Sequence, residues 1–231
     1  MTGGTGVLGS AFVRAALGAG ATVFFSYLTS AEDAETLKKE GAQPVKLDLT
    51  DRNAVSRIKA TIKQAHGRLD ALVMNAAMTA DASLRKLSTN DWDRVIEADL
   101  SSVFRLTRAL LPLLYRSEHG KILNVVSRIG LLGSAGGSNY AAAKAGLIAF
   151  TKSLAGEVGR KGILVNAFNP GFMISKMTAD LPLDVMRAQK ESSLLGEYSN
   201  AEEAADFMVY LLSDRVRSAT GQTYHYDSRL M

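Results

Sequence analysis

The sequence predicts a single-domain α/β fold, in which helices cover both faces of a doubly wound parallel sheet. Short apolar runs alternate with helical stretches along the chain, and this order is typical of parallel βα units. The 231 residues, of which 47% are hydrophobic, suffice for one sizeable core but not for two ordinary domains with linkers. One domain over residues 1–231 is therefore the prediction.

Five apolar runs rich in Val, Leu, Ile and Phe are the predicted strands, and a helical pattern follows each of them. The runs span residues 21–25, 43–47, 71–74, 121–126 and 164–168. The predicted helices span residues 8–19, 30–40, 51–64, 91–114, 139–159 and 201–212. No repeat or low-complexity segment interrupts this alternation.

Composition excludes several classes of function. The chain has no cysteine, which rules out disulfides and thiolate chemistry, and its three histidines lack metal-ligand spacing. No uncharged apolar run approaches the roughly 18 residues needed to cross a bilayer, and the first residues do not form a signal peptide. The net charge of +4 is dispersed without a basic run. We expect a cytoplasmic protein that holds no metal and binds neither membranes nor nucleic acid.

Residues 2–9, Thr-Gly-Gly-Thr-Gly-Val-Leu-Gly, form a glycine-rich turn that opens the first predicted helix. Glycines at positions 3, 6 and 9 allow a tight turn and a close approach to a pyrophosphate, which the N–H groups of a helix N-terminus attract. An ordinary strand-to-helix turn is the alternative. The βα context favours dinucleotide binding, as does Asp48, which follows the second run where an adenine edge would lie.

The segment after the first predicted strand indicates which cofactor is used. An acidic residue about 20 positions beyond the glycines would bind the ribose 2′-hydroxyl of NAD and repel a 2′-phosphate. Residues 24–30 contain no carboxylate, and the first is Glu32, so NADP(H) is favoured. The candidate phosphate ligands are the hydroxyls of Ser26, Tyr27, Thr29 and Ser30. No arginine accompanies them, and simple turn residues are the alternative.

Tyr140 and Lys144 are four residues apart on a predicted helix, which places them on one face. A nearby ammonium and a positively charged nicotinamide would stabilise the phenolate and lower the pKa of Tyr140 from its ordinary value of about 10. This spacing alone is common and usually structural. Ser127, at the end of the fourth predicted strand, adds a hydroxyl that can bind a substrate carbonyl. The three residues together predict acid–base chemistry on a carbonyl.

Several further motifs occur in order along the chain. They are Leu47-Asp48-Leu49, Asn75-Ala76-Ala77, and residues 136–146, 165–172, 201–205 and 220–225. With the glycine turn and Ser127, they resemble the short-chain dehydrogenase/reductase family over nearly the whole chain, and most resemble the 3-oxoacyl-[acyl-carrier-protein] reductases. The resemblance implies a Rossmann-type fold and reversible reduction of a ketone by NADP(H). It also implies a small-molecule or acyl-carrier-protein-bound substrate, and a homo-oligomer, dimer or tetramer, built on the helices at 91–114 and 139–159.

The resemblance implies a role for each site residue. Tyr140 is the acid–base group, Ser127 polarises the carbonyl, and Lys144 lowers the pKa of Tyr140 and holds the nicotinamide ribose. Asp99 stands where the family has an asparagine that completes a proton relay to the lysine. Residues 174–195 would form a substrate lid. The implied cofactor-binding residues are Gly3, Thr5, Gly6, Val7, Leu8, Ser26, Tyr27, Asp48, Leu49, Asn75, Ala76, Ala77, Tyr140, Lys144, Pro170, Gly171, Phe172 and Ser175.

Four features depart from the family pattern. Met1 stands directly before the glycine turn, so the apolar strand expected there is absent, which suggests a truncated or unusual start. The glycines follow GxxGxxG, as in sugar-nucleotide epimerases, but the chain after Lys144 is too short for the larger substrate domain of that branch. Asp99 replaces asparagine, and residues 225–229 lack the usual Gly-Gly pair. Reduction of another small ketone and a non-catalytic NADP(H)-binding role therefore remain alternatives.

Overall fold

The computed structural model describes residues 1–51 and 53–230, and in it short parallel strands alternate with helices. The strands are β1 Phe24–Tyr27, β2 Gln43–Lys46, β3 Ala71–Met74, β4 Lys121–Val125, β5 Leu164–Asn169 and β6 Thr223–His225. The helices are α1 Val7–Gly18, α2 Ala31–Lys39, α3 Ala54–His66, α4 Thr89–Ile96, α5 Ser102–Leu114, α6 Ile129–Leu132, α7 Ser138–Val158, α8 Leu183–Glu191 and α9 Ala201–Leu212. Each predicted strand and helix region matches an observed one within a few residues.

The strand pairs are parallel throughout the described ranges. Strands β3, β4, β5 and β6 form one sheet in that order, and β1 pairs with β2. One hydrophobic cluster packs α3, α5 and α7 against one face, and a second packs α1, α2 and α9 against the other. Ile122 and Leu123 of β4 enter opposite clusters because side chains alternate along a strand. The predicted α/β class, a Rossmann-type parallel sheet with helices on both faces, is confirmed.

The long helix predicted at 91–114 is broken into two helices. Ser88 caps α4 by accepting a hydrogen bond from the Asp91 N–H, and a π-helical turn over Glu97–Ser101 separates α4 from α5. Apolar periodicity runs through both helices, so the pattern alone predicts a continuous helix. A π turn inserts a single residue and often marks a functional site. Here it contains Asp99, whose exposed fraction is 0%.

The two sheets are separated where the expected first strand would lie. Among residues 1–51 and 53–230, Met1 and Thr2 bridge β1 and β3 by hydrogen bonds. The Met1 nitrogen donates to the Phe24 carbonyl at 2.7 Å, and the Thr2 N–H donates to the Val73 carbonyl at 2.9 Å. The chain then enters the glycine turn, which β1 and β3 flank.

Within residues 1–51 and 53–230, no helix combines the length and the apolar character that crossing a membrane requires. The same residues contain no group of three or more His, Asp or Glu side chains placed to hold a metal ion.

Candidate active site

The glycine turn packs so closely against its neighbours that two positions cannot accept a side chain. Gly3 has φ +66°, in the left-handed region, and a Cβ on it would lie 2.9 Å from Ala76 Cα. A Cβ on Gly9 would lie 2.1 Å from the Gly3 carbonyl oxygen. Glycine at both positions lets the backbone turn tightly into α1, as it does where a pyrophosphate approaches the backbone.

Asn75, which follows β3, holds the turn in place. Its side-chain amide donates to the Thr2 and Gly3 carbonyl oxygens at 3.1 and 3.0 Å. Ser26 Oγ accepts from the Gly3 N–H at 3.1 Å and is buried, so this hydroxyl shapes the turn. Helix α1 begins at Val7 without a capping side chain or an acidic residue in its first turn. N–H groups at such a helix end suit the phosphates of a dinucleotide, and the residues present therefore fit that cofactor.

The other residues predicted near the adenine lie after the carboxyl ends of β1, β2 and β3. Tyr27 ends β1 and is half-buried. Asp48 follows β2, is exposed, and accepts from the Thr50 N–H and Oγ1 at 2.8 and 2.7 Å. Leu49 packs against the core, and Ala76, with its neighbour at position 77, follows β3. Cofactors bind at this edge of open parallel sheets.

A hollow of about 210 Å³ lies between the glycine turn, α1 and α2. Thr5, Arg14 of α1 and Asp33 of α2 are among the residues that line it. Arg14 forms two hydrogen bonds with the Glu40 carboxylate, at 2.8 and 3.0 Å. The hollow therefore contains both a guanidinium and a carboxylate beside the turn. Sequence reasoning missed both, because they come from helix surfaces rather than from the segment after the first strand.

Tyr140 and Lys144 lie near the start of α7, beside α6 and the end of β4. Lys144 Nζ lies 5.3 Å from the centre of the Tyr140 ring and donates to the Val125 carbonyl at 3.2 Å. A Cβ on Gly130 of α6 would lie 2.8 Å from the Lys144 backbone, so α6 packs directly on α7. Ser127, which links β4 to α6, lies near enough to Tyr140 to lower its pKa. The three residues predicted to act together are therefore adjacent.

Asp99 joins this group from the π-helical turn. Its Oδ1 accepts from the Met78 N–H at 2.9 Å, while its Oδ2 lies 3.5 Å from Lys144 Nζ, at the outer limit of a hydrogen bond. Oδ2 has no closer polar partner among the described residues. Both side chains of this pair are buried, with exposed fractions of 0% for Asp99 and 3% for Lys144. The lysine thus stands between a carboxylate and the tyrosine ring.

Burial dominates the protonation behaviour of this group. It raises the pKa of Tyr140, Asp99 and Asp81 raise it further, and Lys144 and the Ser127 hydrogen bond only partly oppose them. Lys144 does lower the pKa of Tyr140, as its spacing predicts, but burial outweighs this effect in the protein without a cofactor. Burial also raises the pKa of Asp99. It lowers the pKa of Lys144, but Tyr140 and Asp99 outweigh that effect and raise it overall, so the lysine remains a cation.

Two of these contributors were missing from the sequence interpretation. Asp81 lies in an irregular loop after β3, and its pKa is raised by burial. The Val125 carbonyl, which accepts from Lys144, is a backbone group. Neither an isolated acid in a loop nor a backbone carbonyl leaves a pattern that a sequence can reveal.

The turn after β5 contains the remaining predicted residues, Pro170, Gly171, Phe172 and Ser175. Gly171 has φ +79°, and a Cβ on it would meet Ser199 Oγ at 1.9 Å. The Phe172 ring lies 5.7 Å from the Tyr198 ring, and the Ser175 N–H donates to Thr178 Oγ1 at 2.8 Å. Residues 174–195 follow, and they include the helix α8, which the sequence pattern did not predict.

The C-terminal residues Asp227–Arg229 form hydrogen bonds with the segment 174–195, and we call them the C-terminal latch. Arg229 binds Asp227 through two hydrogen bonds of 2.8 and 2.6 Å, and its guanidinium also donates to Gln189 of α8. Burial alone would raise the pKa of Asp227, but hydrogen bonds from Arg229 and Asn169 hold it below its ordinary value. The Leu194 N–H donates to the Ser228 carbonyl at 2.9 Å. The latch therefore joins the end of β5 to both α8 and the residues after it.

Comparisons with known proteins agree with this geometry. The sequence profile of the family described as enoyl-(acyl carrier protein) reductase matches residues 5–228. The chain is 35% identical over 237 residues to the 3-oxoacyl-[acyl-carrier-protein] reductase FabG of Thermotoga maritima, covering 100% of this chain and 96% of that protein. It is 39% identical over 179 residues to FabG of Escherichia coli, covering 78% and 73%. It is 37% identical over 233 residues to nodulation protein G of Rhizobium sp. strain N33, covering 100% and 95%.

Proposed function

The chain belongs to the short-chain dehydrogenase/reductase family of oxidoreductases, and from this premise we propose that it reduces a ketone to a secondary alcohol with NADPH. The observation that supports this most is the adjacency of Tyr140, Lys144 and Ser127. These side chains provide a proton donor, a buried cation and a hydroxyl in one partly buried group. Such a group can polarise a carbonyl and protonate the oxygen as it becomes an alkoxide.

Each residue has a distinct part in the proposal. Bound NADPH supplies the hydride. Ser127 donates a hydrogen bond to the carbonyl oxygen and orients it, while Tyr140 transfers its phenolic proton to that oxygen. Lys144 is held as a cation by Asp99 and stabilises the phenolate that Tyr140 becomes. Asp99 opposes this effect at longer range, so it tunes the pKa of Tyr140 upward.

The proposed cofactor is NADP(H), held by the glycine turn, the start of α1 and the residues after β1, β2, β3 and β5. Two features support the phosphorylated form: no carboxylate occurs in residues 24–30, and Arg14 lines the hollow beside the turn. Asp33 lines the same hollow and supports NAD(H) instead. Dissociation constants for NADPH and NADH measured on one preparation decide between them, and we expect NADPH to bind at least about tenfold more tightly.

The proposed substrate is a 3-oxoacyl thioester carried by acyl-carrier protein. Two of the relatives described above are named for reduction of this substrate class. The proposed lid at 174–195 supports it, because several apolar side chains there are exposed and are available to contact an acyl chain. They include Ile174, Met177, Leu183, Leu194 and Leu195. A different small ketone is the alternative, since a relative named nodulation protein G matches equally well.

The proposal extends to assembly as a homo-oligomer. Phe104 of α5 is 47% exposed, and its ring lies 6.5 Å from that of Phe150 on α7. The resemblance places both helices at subunit contacts, and the exposed ring of Phe104 with the partly buried ring of Phe150 suits burial between copies. Analytical ultracentrifugation measures the state directly, and a monomer at micromolar concentration would remove this part of the proposal.

Replacing Tyr140 by phenylalanine tests the reaction. The variant keeps the ring beside Lys144 but has no proton to donate, so oxidation of NADPH with an acetoacetyl thioester should fall by a factor of at least about 10³. Binding of NADPH, followed by fluorescence, should change little. Tyr115→Phe is the matched control, because Tyr115 directly follows α5 and is exposed.

An unchanged kcat in Tyr140→Phe would rule out the proposed proton donor. Binding of NADPH by the unaltered protein without oxidation of any ketone in a broad panel would instead support the non-catalytic alternative. The buried pair of Asp99 and Lys144 is the observation that favours this alternative.

A further inference from the structure

Lys176, at the start of the proposed lid, reaches the hollow beside the glycine turn. Its Nζ donates to Asp33 Oδ2 at 3.4 Å, although the two residues are 143 positions apart in the chain. Asp33 is in the first turn of α2 and lines the hollow of about 210 Å³ together with Thr5 and Arg14. Lys176 directly follows Ser175, one of the predicted cofactor-binding residues. The start of the lid therefore joins the turn after β5 to α2 and to the hollow.

The charges at this hollow balance only when Lys176 is counted. Arg14 forms an ion pair with Glu40. Lys176 forms a second ion pair with Asp33. Without Lys176, the guanidinium and the two carboxylates would leave a net negative charge beside the glycine turn. Such a charge repels a phosphate group, whereas the ammonium of Lys176 removes this repulsion.

Lys176 is held more loosely than Arg14. Arg14 donates two hydrogen bonds to Glu40 at 2.8 and 3.0 Å, in the fork arrangement that fixes a guanidinium. The Lys176 side chain is 85% exposed, and within residues 1–51 and 53–230 Asp33 is its one hydrogen-bond partner. An ammonium has three N–H donors, so two remain for a phosphate. An ion pair this exposed contributes little to folding, which leaves its charge as its main effect.

A second lysine pair on α2 has the properties of an ordinary surface ion pair. Lys38 Nζ lies 3.3 Å from Glu35 Oε2, and the two side chains are 57% and 54% exposed. These residues are three positions apart on one helix, and neither is among the described residues that line the hollow. Lys176 differs from Lys38 because it comes from a distant segment and meets a carboxylate that does line the hollow.

We propose that Lys176 is a specificity-determining residue for the cofactor: its ammonium offsets the Asp33 carboxylate and binds the 2′-phosphate of NADPH. Asp33 then does not select NAD(H), and it holds Lys176 at the hollow instead. Because Lys176 belongs to the proposed lid, the phosphate also ties the start of the lid to α2. The inference rests on the proposed use of NADP(H), and it makes the lid a part of cofactor selection.

The experiment measures dissociation constants of NADPH and NADH by fluorescence titration. We expect Lys176→Met to weaken NADPH binding at least about fivefold and NADH binding less than about twofold. Lys176→Arg should keep the preference for NADPH, because a guanidinium also pairs with a phosphate. Lys38→Met is the matched control, since it removes the same charge from an exposed pair on α2, and it should change neither constant.

Replacing Asp33 by asparagine separates screening from direct contact. In the Asp33→Asn protein no carboxylate remains to be offset at this position. Lys176→Met in that background should weaken NADPH binding by a smaller factor, of about twofold, because only the contact with the phosphate is lost. A complete loss of the Lys176→Met effect in that background would overturn the contact with the phosphate.

Hydrogen exchange tests the link between the phosphate and the lid without any turnover. The Thr178 N–H donates to the Ser175 carbonyl at 3.0 Å, in the turn that contains Lys176. Saturating NADPH should slow exchange at the Thr178 N–H at least about threefold more than saturating NADH does. Lys176→Met should remove this difference between the two cofactors.

Equal weakening of NADPH and NADH binding in Lys176→Met would overturn the inference, because Lys176 would then contact a part that both cofactors share. Unchanged constants in this variant, with NADPH still bound by the unaltered protein, would also overturn it and would leave the proposed function intact. If the unaltered protein bound neither cofactor, the proposed function would fail together with the inference.

Discussion

Replacing Asp99 by asparagine is expected to lower the pKa of Tyr140 by about one unit. The substitution removes one negative charge and keeps nearly the same shape. The asparagine Oδ1 can still accept from the Met78 N–H, which Asp99 Oδ1 does now at 2.9 Å. Asp99 at present disfavours the phenolate, because it raises the pKa of Tyr140. Without the Asp99 charge, less opposes the stabilisation of the Tyr140 phenolate by Lys144.

The magnitude follows from the geometry of the three side chains. Lys144 Nζ lies 3.5 Å from Asp99 Oδ2 and 5.3 Å from the centre of the Tyr140 ring, so carboxylate and ring are within roughly 9 Å of each other. At an effective dielectric constant of about 20, two unit charges at that distance repel by roughly 2 kcal/mol. Since one pKa unit corresponds to about 1.4 kcal/mol, the expected shift is about one unit.

The assay is the pH dependence of kcat/KM for oxidation of the secondary alcohol, in which Tyr140 acts as a base. The rate of the unaltered protein falls as the pH drops below the pKa of Tyr140, and in Asp99→Asn this fall should occur about one unit lower. In the direction of ketone reduction, where Tyr140 donates a proton, the loss of rate at high pH should move down by the same amount.

Asp93→Asn is the matched control, since Asp93 is exposed on α4 and the substitution removes the same charge. Its pH profile should match that of the unaltered protein. The reasoning would be refuted if the Asp99→Asn profile stayed in place or moved to higher pH while the variant remained folded by circular dichroism. A structural defect alone would lower the rate at every pH without changing the pH at which the rate begins to fall.

Two further predictions concern other parts of the chain. Arg14→Met should weaken NADPH binding more than NADH binding, by at least about fivefold in the ratio of dissociation constants, and an unchanged ratio would remove Arg14 from the phosphate site. Arg229→Met should lower the melting temperature, because it leaves the buried Asp227 carboxylate without its cationic partner, at a cost of about 3–5 kcal/mol. It should also raise KM for the ketone without moving the pH profile. Arg215→Met is the control, because Arg215 lies on the surface.

The sequence pattern predicted secondary structure correctly where an element has one apolar face. The prediction missed α8, a helix of 9 residues that is largely polar and has no buried residue. It missed β6 and α6 because three and four residues are too few to show a period. The π-helical turn at Glu97–Ser101 was also missed, since a one-residue insertion leaves composition and spacing almost unchanged.

The sequence by itself determined the residues whose chemistry depends on spacing along one element. Tyr140 and Lys144 share a helix face because they are four positions apart, and the glycines of the turn permit a backbone that other residues cannot adopt. The α/β class followed in the same way, because alternating runs and helices have one compact parallel arrangement.

Only the tertiary structure decided the environment of those residues. Asp99 reaches Lys144 across the fold, and the burial of Tyr140 outweighs the nearby cation, so the direction of its pKa shift is opposite to the one that spacing predicts. The C-terminal latch likewise joins segments far apart in the chain. Charge, burial and strand pairing depend on distance in space, and a linear pattern encodes distance only within a single helix or strand.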